Sequence, residues 1–170
     1  MIDDLPRADD DASMATVPAA WFDDATGIPG PAFWEAVLST EAARCARYGR
    51  TSTIVLAESV GFDHLVRQWG RELALRSVVD VVAVLRASCR GSDYVARLSD
   101  DRIGMILTET DEVAAINMIE RVRDRCDRAM RARAVGGRVA FGWASPKPPL
   151  TLRDAVARAE DLLRREAGSE

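Results

Sequence analysis

The side chains able to do chemistry in this 170-residue chain are skewed in type. Of 23 basic residues all but Lys147 are arginine, and 27 are acidic. A guanidinium is a rigid five-donor fork suited to carboxylates, phosphates and the polar edge of a base. Arg90 stands three positions before Asp93, but the same spacing recurs at Arg7, Arg97 and Arg121 among others, so spacing alone marks no site. At the end of a helix, Arg90 reads simply as a C-terminal cap paired with Asp93, a surface ion pair worth about 0–1 kcal/mol. Glu58 follows a short apolar run and Asp100 and Asp101 fill a polar turn; by type alone these are a solvated strand-end acid and turn acids. Cys45, Cys89 and Cys126 are isolated, odd in number and set in helix-like sequence, which fits reduced buried thiols. His64 is the only histidine. It reads as a surface or helix-end residue, and no zinc site is expected.

Length and charge set the frame for these residues. With 48% apolar and 29% charged residues, the chain can bury one core. No apolar run approaches the roughly 18 residues of a membrane span, and the acidic start is unlike a signal peptide; a cytoplasmic protein with no membrane partner is expected. Residues 1–20 are acidic, carry Pro and Ala without period, and are expected to form a flexible tail ahead of one domain over 21–170. The remainder is only slightly basic and lacks aromatic interleaving, which excludes a general nucleic-acid binder. A compact anionic ligand stays open.

The elements that must position these groups follow from apolar periodicity. After the turn-like Thr26-Gly27-Ile28-Pro29-Gly30-Pro31, the positions Phe33, Trp34, Val37, Leu38, Ala42 and Cys45 predict an amphipathic helix to about Tyr48. Thr51 to Ala57 is a β-branched run and predicts a buried strand. Gly61 to Trp69 reads as a short helix, and Gly70 separates it from a longer one ending near Cys89. Asp93 to Leu98 and Arg102 to Thr108 are strand-like runs joined by Ser99-Asp100-Asp101, a turn of hairpin length. Glu112 to Arg133 is helical, Arg138 to Ala144 a strand, and Leu150 to Glu166 a last helix. Trp34, Trp69 and Trp143 occupy apolar-periodic positions and read as core or core-edge aromatics. The order predicts an α+β sandwich: a mainly antiparallel sheet covered by helices.

Over residues 23–167 these pieces resemble the GGDEF domain of bacterial diguanylate cyclases, which condense two GTP molecules into cyclic di-GMP. Asp23-Asp24-Ala25-Thr26-Gly27-Ile28-Pro29 is similar to the family's opening D-x-L-T-G-L-P, and Glu41, Arg44 and Arg47 follow as in its first helix. Glu58-Ser59-Val60-Gly61-Phe62 stands at D-x-D-x-F and Trp69-Gly70-Arg71 at Y-G-H. Asp93 to Leu98 is similar to the strand before the signature, and Ser99, Asp100, Asp101, Arg102 and Ile103 take the place of G-G-D/E-E-F.

For catalysis the resemblance implies two metal-holding carboxylates, a bare glycine turn and guanine-reading side chains. Glu58 and Asp101 are the residual metal candidates. Asp100 puts a negative side chain where the second glycine admits phosphates, and Arg102 reverses the charge of the second acid. The guanine readers fall on Val66 and Leu75, which cannot hydrogen-bond a base, and Ala167 replaces a basic residue. The expectation is a degenerate domain: no catalytic residue, metal, cofactor or turnover.

The family's product-binding site is matched more fully. It uses an R-x-x-D motif five residues before the signature and an arginine on the following helix. Arg90, Asp93 and Arg121 (in Ile119-Glu120-Arg121-Val122-Arg123) fill those positions. The implied function is a cyclic di-GMP receptor or signalling module, with a protein partner the sequence does not identify. Because the ligand enters that site as a stacked pair, a ligand-bridged homodimer is implied as well. A nucleotide-independent interaction or dimerisation scaffold, through the Arg-rich stretch 121–133, is the alternative, and residual cyclase activity the third reading.

Overall fold

The computed structural model describes residues 21–23, 26–132 and 137–169; the expected tail over 1–20, and Asp24, Ala25, Arg133 and Gly136, lie outside them. The described elements run α1 (Pro31–Tyr48), β1 (Ser52–Val60), α2 (Phe62–Trp69), α3 (Arg71–Arg86), β2 (Tyr94–Arg97), β3 (Arg102–Thr108), α4 (Glu112–Arg131), β4 (Arg138–Ala144) and α5 (Leu152–Ala167). The strands form one antiparallel sheet in the order β2-β3-β1-β4; an antiparallel sheet covered by helices is what the sequence predicts, and the structure adds the order, with β2 of the hairpin at one edge.

Helices cover both faces of the sheet, which is why β1 reads as an unbroken apolar run rather than an alternating one. Val55, Ala57, Met105 and Phe141 point into a core shared with α2, α3 and α4. Ile54, Leu56, Ile106 and Ala140 point to the other side, against Trp34 and Leu38 of α1 and Leu152 to Leu163 of α5. Two glycines let these helices press directly on the strands. A Cβ on Gly142 would lie 2.0 Å from the Ala159 carbonyl oxygen, and one on Gly104 2.8 Å from the Trp34 ring.

The helix starts are defined by local chemistry. The Asp111 carboxylate accepts the Ala114 N–H at 2.8 Å to begin α4, and Thr151 with Asp154 forms a reciprocal capping box at α5. Gly61 and Gly70 both carry positive φ, 84° and 86°, the region in which glycine alone is unstrained; they bracket α2 and turn the chain sharply into α3.

Two expectations need correction. Glu58 is not at a strand end: β1 continues to Val60 because Glu58 pairs in register with Arg102 of β3 and Ala140 of β4. Trp69 is not core: it is 48% exposed, because α2 ends there and the chain turns at Gly70 before that face can be covered. His64 is exposed, as expected, and the three cysteines are free thiols.

Candidate functional site

Two clusters of charged residues stand out, one at the β2–β3 hairpin and one where α3, β2, β3 and α4 meet. At the hairpin the unusual residues pair with each other. The Arg102 guanidinium lies 2.7 Å from the Glu58 carboxylate across β3 and β1. Asp100 accepts hydrogen bonds from Arg71 at 2.9 Å and from Arg97. Arg97, only 5% exposed, also reaches Asp23 at 2.8 Å, so one buried guanidinium joins the segment before α1 to the hairpin turn. The Thr26 hydroxyl and Arg97 together hold the Asp23 carboxyl below its ordinary value, against the opposing effect of burial. Asp101 accepts from the Ser99 hydroxyl at 2.5 Å, and Ile103 is buried in the core.

This donor set does not fit a divalent cation as placed. Glu58 is neutralised by Arg102, Asp101 is held by Ser99, and no cluster of three metal-ligating side chains occurs among the described residues. Val66 and Leu75, at the positions where the resemblance places guanine readers, pack against the core.

The second cluster brings together the three residues singled out from the resemblance. Arg90 and Asp93 lie on the turn between α3 and β2; Arg121 projects from α4. All three line one cavity of about 210 Å³, together with Ser88, Asn117 and Met118. Asp93 anchors this arrangement: its carboxylate accepts the backbone N–H of Arg90 at 2.7 Å and that of Thr108 at 3.0 Å. The Thr108 hydroxyl also donates to this carboxylate, at 3.4 Å; a carboxylate has about four lone-pair sites, so capacity for one further donor remains. The guanidinium groups of Arg90 and Arg121 have no ion-pair partner among the described residues, and both residues are exposed. The Arg90–Asp93 side-chain pair anticipated from the motif is therefore absent; the bond that forms is from the Arg90 backbone. Cys89, beside Arg90, has its thiol pushed up to about 12 by burial, with the nearby Asp93 charge adding to it.

Two site residues went unsingled in the sequence. Asn117 lies one turn before Arg121 on the same face of α4, a relation its i, i+4 spacing carries. Arg86 stands four residues before Arg90 and lines an adjoining cavity.

The sequence model of the family described as "Diguanylate cyclase, GGDEF domain" matches residues 20–167. The chain belongs to the GGDEF domain family. This GGDEF domain is 26% identical over 142 residues to the probable diguanylate cyclase DgcC of Escherichia coli strain K12, covering 82% of the chain and 38% of that relative's length. Among solved structures it is similar in fold to the GGDEF domain of DgcB from Caulobacter crescentus in complex with c-di-GMP, with a TM-score of 0.78, 17% identity and 88% of each chain covered. The FimX GGDEF domain from Pseudomonas aeruginosa gives a TM-score of 0.77 at 14% identity, over 86% of this chain and 93% of that one.

These comparisons correct the expectation of a non-enzyme. The matching family is one of diguanylate cyclases, and the curated relative is named a probable diguanylate cyclase. Weighing each signature residue by type does not establish inactivity; what the structure adds is that the substituted residues pair with one another. Arg102 pairs with Glu58 and Asp100 with Arg71 and Arg97, and the hairpin stands as β2 and β3 in register.

Among the described residues no helix is long and apolar enough to cross a membrane.

Proposed function

We propose that this GGDEF domain binds cyclic di-GMP at the Arg90, Asp93 and Arg121 cavity and serves as a signalling module for that second messenger. The observation that carries this reading is the convergence of two unpaired guanidinium groups and an anchored carboxylate on one cavity. The chemistry is complementary to the ligand. An arginine fork pairs with the O6 and N7 edge of guanine or with a phosphate, and the remaining lone pair of Asp93 accepts a guanine N1–H or N2–H donor. The GGDEF domain of DgcB, alike in fold, crystallised in complex with the same ligand, which supports the reading.

A second reading, a nucleotide-independent interaction or dimerisation scaffold, is favoured by one observation: Asp93 already anchors two backbone amides, a sufficient structural role for that residue. Equilibrium dialysis against labelled cyclic di-GMP, followed by sedimentation with and without it, separates the two. Saturable retention, with two chains brought together by the ligand, is the expected result. No retention, with a dimer formed in the absence of ligand, would leave the scaffold.

A further inference from the structure

The cavity holding Arg121 is too small for a whole dinucleotide. Small-molecule sites typically enclose about 300–1,000 Å³, and this one encloses about 210 Å³. A second cavity of about 340 Å³ lies against it, lined by Pro29, Phe33, Arg86, Arg90, Asp93 and Tyr94. Arg90 and Asp93 thus form a wall common to both, with Arg121 on one side and Arg86 on the other.

The second cavity has the chemistry of a nucleotide half-site. Arg86 is exposed and has no ion-pair partner among the described residues. The Phe33 and Tyr94 rings stand 6.2 Å apart at 59°, and Trp21 meets Phe33 edge-on at 5.5 Å, so the Phe33 ring is held from two sides. A rigid aromatic wall beside an unpaired guanidinium suits a purine face and a phosphate together. A surface arginine serving only solubility would need neither the wall nor the cavity.

We infer that Arg86, with Phe33 and Tyr94, forms the second half of the ligand site and takes the second nucleotide unit of a cyclic dinucleotide whose first unit is held by Arg90, Asp93 and Arg121. The inference rests on the proposed function. It adds a ligand-contacting residue, Arg86, and it accounts for recognition of a dinucleotide rather than a single guanosine phosphate by placing one arginine on each side of the shared wall.

Cys89 lines only the second cavity of the two, so it reports on occupancy there. The test is calorimetric titration of the full chain with cyclic di-GMP, for wild type, Arg86→Ala and Arg90→Ala. It is combined with mass-spectrometric alkylation of Cys89 with and without saturating ligand. The expected results are an affinity loss of at least tenfold in Arg86→Ala with an unchanged melting temperature, and at least tenfold slower alkylation of Cys89 in the wild-type complex with the partly exposed Cys45, which lines neither cavity, unaffected. Ligand bound with Cys89 unprotected, or Arg86→Ala binding within twofold of wild type, overturns the inference while leaving the Arg90 site standing. A wild-type chain that gives no heat overturns the ligand reading itself, and Arg86 with it.

Discussion

The carboxylate of Asp93 accepts the backbone N–H of Thr108 at 3.0 Å, tying the turn after α3 to the last residue of β3. This bond fixes where the carboxylate points, and the second oxygen closes the turn through the Arg90 amide at 2.7 Å. Asp93 therefore has a structural task whatever it binds. Asp93→Ala leaves two amides without their acceptor and should cost about 2–3 kcal/mol in urea denaturation, while Asp93→Asn, which keeps one amide-accepting oxygen, should cost about 1 kcal/mol. No loss in either variant would show that the backbone holds this turn without the side chain.

Arg97 is the buried hub of the hairpin, with Asp23 on one side and Asp100 on the other. Removing the shared partner leaves Asp100 to Arg71 and Asp23 to Thr26, and since both carboxylates are partly exposed Arg97→Ala should cost about 2 kcal/mol. Asp100→Ala leaves the Asp23 pair intact, and since Asp100 is 35% exposed the loss should stay near 1 kcal/mol. Chemical denaturation of both variants gives the order directly. Asp100→Ala as damaging as Arg97→Ala would mean that the turn, and not the buried arginine, holds the hairpin.

Glu41 is 3% exposed on α1. Burial alone would push its carboxyl up, but the Arg44 guanidinium at 2.7 Å and the Ser52 hydroxyl outweigh burial and hold it below its ordinary value of 4.5. A carboxyl whose folded-state value is lowered binds protons more readily when unfolded. Its contribution to stability is complete above about pH 4.5 and is lost as pH falls through the lower folded-state value. Glu41→Gln should therefore flatten the decline in melting temperature below that pH. An unchanged acid limb in Glu41→Gln would place the titration elsewhere.

A methyl group added at Gly142 would collide with the α5 backbone, 2.0 Å from the Ala159 oxygen and 2.5 Å from the Leu163 nitrogen. Neither atom can rotate away as a side chain would. Gly142→Ala should cost about 3 kcal/mol or more, the upper end for overpacking, read as a loss of melting temperature. A variant that melts within 2 or 3 °C of wild type, about the shift that 1 kcal/mol gives in a chain of this size, would mean that α5 shifts freely on the sheet.

The elements were legible because their signals are local. The β-branched run of β1, the glycines around α2 and the apolar spacing of α4 each decide one segment without reference to the rest. The strand end at Glu58 was not, since what extends β1 to Val60 is pairing with β3 and β4, residues more than forty positions away. Trp69 misled for a related reason: periodicity names a face but not whether anything covers it. At the site, Arg90, Asp93 and Arg121 could be singled out by register against a family pattern. Arg86 and Phe33 could not, because only the packing of α1 beside the α3–β2 turn brings them to one cavity.

The central claim is that Arg90 and Arg121 hold a cyclic dinucleotide, and isothermal titration at fixed ionic strength tests it most directly. Wild type should bind cyclic di-GMP at tens of micromolar or tighter, roughly −6 to −7 kcal/mol. Arg90→Ala and Arg121→Ala, exposed residues whose removal should leave the fold intact, should each bind at least tenfold more weakly through loss of a charge-assisted contact. Variants that bind as tightly as wild type, or a wild type that gives no heat at these concentrations, would contradict the claim.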